Sequence, residues 1–177
     1  MVLKKNSRKK KVETYIDERI KASGYYMIIF FILLIIIDRI TKIWASTLAS
    51  EIDYGMFAFT YVTNTGAGFS ILQNQNMLLL WMAIVALGLI IYFYNEFPKT
   101  GFVLITAGLI GNLIDRISYG SVVDFINFKF WPIFNAADAF IFIGVIITII
   151  LIIIKEKNTN TRVLKNPIKK KIKRRRK

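Results

Sequence analysis

Two acidic residues stand where apolar ones are expected. Asp124 sits in Val122-Val123-Asp124-Phe125, apolar on both sides and without a neighbouring cation. Asp138 follows Asn135 at i, i+3, between Phe134 and Phe140. The 177 residues contain no His and no Cys. That excludes Ser-His and Cys-His catalysis, His- or Cys-ligated metals and a His proton shuttle. Acid–base chemistry near neutral pH then falls to carboxylates, Lys or Tyr. Two carboxylates a few Å apart share a proton, so that one is a base while the other stays an acid. Such a pair can activate water against an amide without metal or cofactor. Each residue has a plainer reading. Asp124 could be an ordinary loop aspartate, although those usually have polar neighbours. Asp138 could be a first-turn carboxylate favoured by the helix dipole.

Further polar groups occupy apolar stretches. Asn112, Asp115 and Arg116, at i, i+3 and i+4, share a helical face beside Gly111. Asp115 and Arg116 read equally well as site residues or as a neutralised pair anchoring a helix end. Asp38, Thr41 and Lys42 repeat that spacing. They form either an interfacial ion pair or a substrate-positioning group. Lys42 also has Ser46 four residues on, but a lysine beside Asp38 stays protonated and is a poor base. An ionised carboxylate at mid-membrane costs about 2.5–3.5 kcal/mol on insertion scales, so such groups usually face the protein interior.

The elements that must carry these residues are apolar. Mean hydropathy is +0.48, yet the net charge is +14. Residues 1–24 hold eight Lys/Arg and residues 155–177 twelve, with five between. Four apolar segments, at about Tyr25–Ala49, Met77–Tyr94, Phe102–Ile117 and Ile133–Ile154, approach the length of a membrane span. The first begins too late, and lacks the cleavage site, for a secretory signal peptide. The expected fold is an all-α integral membrane protein of four transmembrane helices with both termini cytoplasmic. Basic ends set that orientation, and the stretch 44–76 contains no Lys or Arg. Residues 1–24 and 156–177 read as basic cytoplasmic extensions of a 25–155 core, in contact with anionic lipid. Basic runs also occur in nucleic-acid-binding proteins, but these flank an apolar middle. Within 44–76, Phe57, Phe59 and Tyr61 alternate with small or polar residues, which predicts a strand with one aromatic face in a small extracytoplasmic sheet. Asn64-Thr65-Gly66-Ala67-Gly68 follows as a turn.

Four segments in order resemble the bacterial lipoprotein signal peptidases (signal peptidase II). Asp38-Arg39-Ile40-Thr41-Lys42 is similar to D-Q-x-[ST]-K. Asn64-Thr65-Gly66-Ala67-Gly68-Phe69-Ser70 is similar to N-x-G-A-A-F-S. Gly111 to Phe125 matches G-N-x-x-D-R-x-x-x-G-x-V-x-D-F, and Phe134 to Asp138 matches F-N-x-A-D. The departures are Arg39 for Gln and Gly68 for Ala; neither is expected to touch the catalytic pair. The resemblance implies an intramembrane aspartyl endopeptidase of the bacterial cytoplasmic membrane, without cofactor or metal. Its substrates would be prolipoproteins carrying a diacylglyceryl group, cut before the lipidated Cys. It implies Asp124 and Asp138 as catalytic residues. Asp38, Lys42, Asn64, Gly66, Asn112, Asp115, Arg116, Asn135 and Ala137 would be supporting or substrate-binding residues, and a monomer is the default. The rival readings are a four-helix proton or cation path, which lacks repeat symmetry, and a membrane scaffold, which leaves paired acids without a purpose.

Overall fold

The computed structural model describes the backbone of residues 2–67 and 71–175, with side chains for 24–67 and 71–157. Gly68, Phe69 and Ser70 of the second motif, and the side chains of the basic ends, lie outside the described residues. Among the described residues four α-helices and three short strands follow in the order α1 (Val2–Ser46), β1 (Ile52–Asp53), β2 (Ala58–Asn64), α2 (Asn76–Tyr92), α3 (Lys99–Tyr119), β3 (Val122–Asn127) and α4 (Ala136–Arg175), with a short 3-10 helix at Tyr94–Glu96 between α2 and α3. The chain is thus mostly helical with one antiparallel sheet, ordered β1-β2-β3. α1 and α4 run without a break through positions 24 and 156, where the composition changes.

Lys99–Tyr119 and Ala136–Lys157 are each long and apolar enough to cross a membrane. α2 is apolar but only 17 residues long, and α1 carries Asp38, Arg39 and Lys42. α3 is the central helix. Half of its apolar window is buried, against 17% for that of α4. It packs on α4 through small residues. A Cβ added at Gly108 would stand 2.3 Å from the Ala137 carbonyl oxygen, and one at Gly144 would stand 2.9 Å from Leu104 Cβ. Backbones approach this closely only where side chains are absent. Leu34, Val103, Leu104 and Ala107 form the apolar core between α1 and α3, joined by Phe31, Phe140 and Ile147.

The sheet closes one end of the bundle. α3 stops at Gly120, whose φ of +71° suits glycine, and its N–H donates to the Arg116 carbonyl. β3 then starts two residues on. Its alternation sends Asp124 and Phe125 to opposite faces. Phe125 packs with Ala45 and Ala136, while Trp44 meets both Phe59 and Phe125 edge-on. After Asn127 the chain loops and returns. The Phe125 and Ile126 N–H groups donate to the Phe134 carbonyl, and Phe134 N–H donates to Ile126. That return places Asn135 beside Asp124.

Two expectations need correction. The fourth helix starts at Ala136 rather than Ile133, because Phe134 is bridged to Ile126 and Asn135 caps the helix. The aromatic face of β2 does not extend to Tyr61. The ladder slips between Phe59 and Val62, so the alternation breaks and Tyr61 is 44% exposed. Phe57 and Phe59 do cluster, with Tyr54.

Candidate active site

The start of α4 leaves backbone N–H groups without partners in the helix. Asn135 Oδ1 accepts from Asp138 N–H at 3.0 Å, and Asp138 Oδ2 accepts from Asn135 N–H at 3.2 Å. This is a reciprocal capping box. Asp38 Oδ1, reaching across from α1, accepts from Ala137 N–H at 3.1 Å. The sequence F-N-x-A-D thus both starts the helix and fixes the Asp138 carboxylate. Ala137 is fully buried, with its Cβ facing Gly111.

Asp124 is 3% exposed and Asp138 is partly open to a cavity. Among the described residues neither has a salt-bridge partner; amides hold both. Asn64 Nδ2 donates to Asp124 Oδ2 at 2.8 Å, and Asn135 Nδ2 donates to Asp124 Oδ1 at 2.7 Å. Asn112 Nδ2 donates to Asp138 Oδ1 at 2.7 Å. The sheet explains the first bond. Asn64 pairs with Val122 and Val62 with Asp124, so Asn64 and Asp124 are diagonal neighbours on one face.

Each amide is oriented by a group that can only donate. Lys42 Nζ donates to Asn112 Oδ1 at 2.9 Å, Asp138 N–H to Asn135 Oδ1, and Gly66 N–H to Asn64 Oδ1 at 2.9 Å. With its oxygen so engaged, each asparagine must present N–H to a carboxylate. Burial and then the neighbouring Asp138 push Asp124 from its ordinary 3.8 up to about 6, against the pull of the Asn64 and Asn135 donors.

Behind the pair lies a second group of charges. Asp38 and Asp115 are each 1% exposed, and Lys42 is 4% exposed. Lys42 Nζ lies 3.0 Å from Asp38 Oδ2 and 2.7 Å from Asp115 Oδ2. Arg39 pairs with Asp38 at 2.5 Å and with Asp115, and donates to the Gly111 carbonyl at 2.8 Å. Two cations and two anions balance. Asp115 therefore belongs to this cluster and not to the Asp124–Asp138 pair. Arg116, the other partner considered for Asp115, donates instead to the Gly66 carbonyl at 2.8 Å and to Asn76 Oδ1 at 3.2 Å. Asn76, at the start of α2, is not among the expected site residues; Arg39, as expected, touches neither Asp124 nor Asp138 but pairs with Asp38 and Asp115.

Three cavities meet here. One of about 370 Å³ is lined by Asn64, Asn112, Arg116, Asp124 and Asp138. A mixed one of about 610 Å³, bordered by Thr63, Thr65, Gln73 and Lys129 and by Trp131 and Ile133, opens on Asp124. An apolar one of about 610 Å³, bordered by Phe128, Phe134, Phe142 and Ile143, opens on Asp138. Among the described residues no His/Cys/Asp/Glu group suits a metal ion.

Apolar helices around a cavity floored by two carboxylates define a membrane-embedded hydrolytic enzyme as the class. Solved structures agree. A bacterial membrane enzyme determined by the in meso method at 2.3 Å superposes with a TM-score of 0.67 at 32% identity, covering 75% of this chain and 90% of that one. A second such structure, at 1.9 Å, gives 0.61 and 34% identity, covering 71% and 91% of the two chains. The family model for signal peptidase (SPase) II matches residues 30–154. The lipoprotein signal peptidase of Syntrophomonas wolfei is 41% identical over 140 residues, 72% of this chain and 92% of its own. That of Clostridium tetani is 41% identical over 143 residues, 71% and 91% of the two chains. The chain belongs to the signal peptidase II family of aspartic proteases.

Proposed function

We propose that Asp124 and Asp138 are the catalytic pair of this signal peptidase, which removes signal peptides from prolipoproteins. The observation that carries the assignment is that these two carboxylates, unlike Asp38 and Asp115, are held by neutral amides and face a cavity. Amide donors stabilise a carboxylate without fixing its charge, so one proton can move within the pair. The ionised carboxylate takes a proton from water, and the hydroxide attacks the scissile carbonyl carbon. The protonated carboxyl hydrogen-bonds the carbonyl oxygen. As the C–N bond breaks, that proton passes to the leaving amine. Arg116 borders the same cavity, and a singly protonated pair beside it is charge-balanced.

The substrate is read as a diacylglyceryl-modified precursor, cut before its lipidated Cys. The apolar cavity beside Asp138 supports acyl-chain contact, since each buried CH₂ contributes about 0.8 kcal/mol. The mixed cavity beside Asp124, with Thr63, Thr65, Gln73 and Lys129 on its border, supports contact with the peptide. Lys42, Asn64, Gly66, Asn112, Arg116, Asn135 and Ala137 support the pair, and Asp38 and Asp115 hold Lys42. The protein crosses the bacterial cytoplasmic membrane four times, through α1, α2, α3 and α4. Residues 1–24 and 156–177 are then cytoplasmic extensions contacting anionic lipid, and the sheet is outside. It works as a monomer without cofactor.

Purified protein should cleave a lipidated precursor, and Asp124→Asn and Asp138→Asn variants should not. Substantial turnover by either variant sinks the assignment. Equal cleavage of lipidated and unlipidated precursor removes the lipid from the reading. Topology can be tested by single-cysteine labelling, because the sequence contains no Cys. An impermeant reagent should label position 52 and not position 5 in intact cells; the reverse would invert the protein.

A further inference from the structure

We infer that Arg39 is a positioning residue for Asp138, acting through Lys42 and Asn112. The inference rests on the reading of Asp124 and Asp138 as the catalytic pair. Lys42 Nζ is ion-paired with Asp38 at 3.0 Å and with Asp115 at 2.7 Å, and it donates a hydrogen bond to Asn112 Oδ1 at 2.9 Å. Two of these partners are buried anions and the third is a neutral oxygen. The neutral contact is the shorter of two, the other being Asn135 Nδ2 at 3.2 Å, that turn the Asn112 amide toward Asp138.

Lys42 can spare a donor for Asn112 only because a second cation shares the anions. Arg39 contacts both Asp38 and Asp115, so each carboxylate has two cationic partners. Its third contact, to the Gly111 carbonyl, grips the backbone at the residue before Asn112. Without Arg39, Lys42 alone faces two carboxylates in a buried site with one uncompensated negative charge. Ion–ion attraction there outweighs an ion–dipole contact, so Lys42 draws toward the anions and releases Asn112. Asn112 Oδ1 is then left with only the longer contact from Asn135 Nδ2 at 3.2 Å, so the amide turns more easily and withdraws its donor from Asp138. The resembling motif carries Gln at this position. Gln supplies a donor but no charge, so the geometry ranks the position Arg, then Lys, then Gln, then Met.

The test measures cleavage of lipidated precursor by purified protein with Arg39→Lys, Arg39→Gln, Arg39→Met, Asp115→Asn and the Arg39→Met/Asp115→Asn double variant, with Asp124→Asn as control. Arg39→Met should lower kcat roughly tenfold to a hundredfold. KM should stay within about twofold, because the acyl chains and not Asn112 hold the substrate. Arg39→Gln should lose less, and Arg39→Lys least. The double variant removes one charge of each sign, so it should turn over faster than either single variant. If Arg39→Met does not fold, comparing Arg39→Gln with wild type and the double variant with Asp115→Asn decides the same question. Wild-type kcat in Arg39→Met or Arg39→Gln, or a double variant no faster than its parents, overturns the inference. Turnover by Asp124→Asn would overturn the catalytic assignment instead, so the two failures are distinct.

Discussion

Two pairs of carboxylates sit close together in one bundle, and they are treated in opposite ways. Asp38 and Asp115 face two cations, Arg39 and Lys42. Asp124 and Asp138 face three asparagines. Cations fix a carboxylate in its charged form. Amides orient it while leaving its proton exchangeable. On the proposed assignment the first pair serves structure and the second chemistry, although all four are acids in largely apolar stretches. Lys42 joins them, ion-paired with both anions of one pair and hydrogen-bonded to the amide that serves the other.

The largest expected effect tests that division on activity. Asp124→Asn or Asp138→Asn should cut cleavage by at least about a hundredfold, the scale of a lost general acid or base. Both variants should remain folded. Asp115→Asn should fail differently. It leaves Lys42 and Arg39 with a single carboxylate, and breaking a buried pair costs about 3–5 kcal/mol. Its melting temperature in detergent should drop well below those of the other two. A lower melting temperature for Asp124→Asn than for Asp115→Asn would erase the division.

A single added methyl should separate packing from both pairs. Gly108→Ala would bring Cβ to 2.3 Å from the Ala137 carbonyl oxygen and 2.6 Å from Ile141 Cγ1. The α4 start must then move, and Asp138 moves with it. A misplacement near 1 Å can cost about a hundredfold in rate. Gly88→Ala is the matched control, since nothing lies within 4 Å of its added Cβ. It should cleave at the wild-type rate, and equal loss in both would show that helix packing does not set the site.

Much of this is legible in the sequence, and the rest is hidden for identifiable reasons. Asp124, Asp138, Asn112 and Asn135 stand out because polar groups in apolar stretches need partners. The helical runs follow from composition, although α3 continues past Ile117 to its stop at Gly120. Arg39 reads only as a departure from a motif, although a guanidinium among isoleucines must find anions. Asn76 escapes notice because at a helix start it looks like an ordinary loop amide. The slip that exposes Tyr61 depends on how β3 pairs with β2, which periodicity in one strand cannot reveal. The reach of Asp38 to the α4 start depends likewise on helix packing.

A smaller effect comes from pH. Asp124 in the folded protein takes up its proton near 6, against an ordinary 3.8. A raised value favours the folded state most below 3.8, and that advantage is lost as pH rises through about 6. The shift corresponds to about 3 kcal/mol. Melts of Asp124→Asn and wild type should therefore move in favour of the variant between pH 4 and pH 7, because only the wild type carries this cost. Cleavage should fall as pH drops through about 6, where Asp124 takes up its proton. A pH-independent difference between the two proteins would mean that Asp124 is not desolvated.

The smallest effect belongs to an ion pair that lies at the surface. Lys129 Nζ meets Asp53 Oδ2 at 2.5 Å, with the two side chains 40% and 49% exposed. The hydrogen bond from Lys129, and then the Gly55 N–H, hold Asp53 below its ordinary value, the opposite direction to Asp124. A lowered value means that the pair's contribution is present above pH 3.8 and lost as the carboxylate protonates on acidification. Water and salt screen such a pair, and holding two mobile side chains costs entropy. Lys129→Ala should therefore leave the melting temperature unchanged at about 0.5 M salt and cleavage within about twofold of wild type. The same opposite charges are decisive in the Asp38–Asp115 cluster only because water is excluded there. A large loss of stability in Lys129→Ala that persists at high salt would show that burial is not what separates the two, and the contrast between the carboxylate pairs would need another cause.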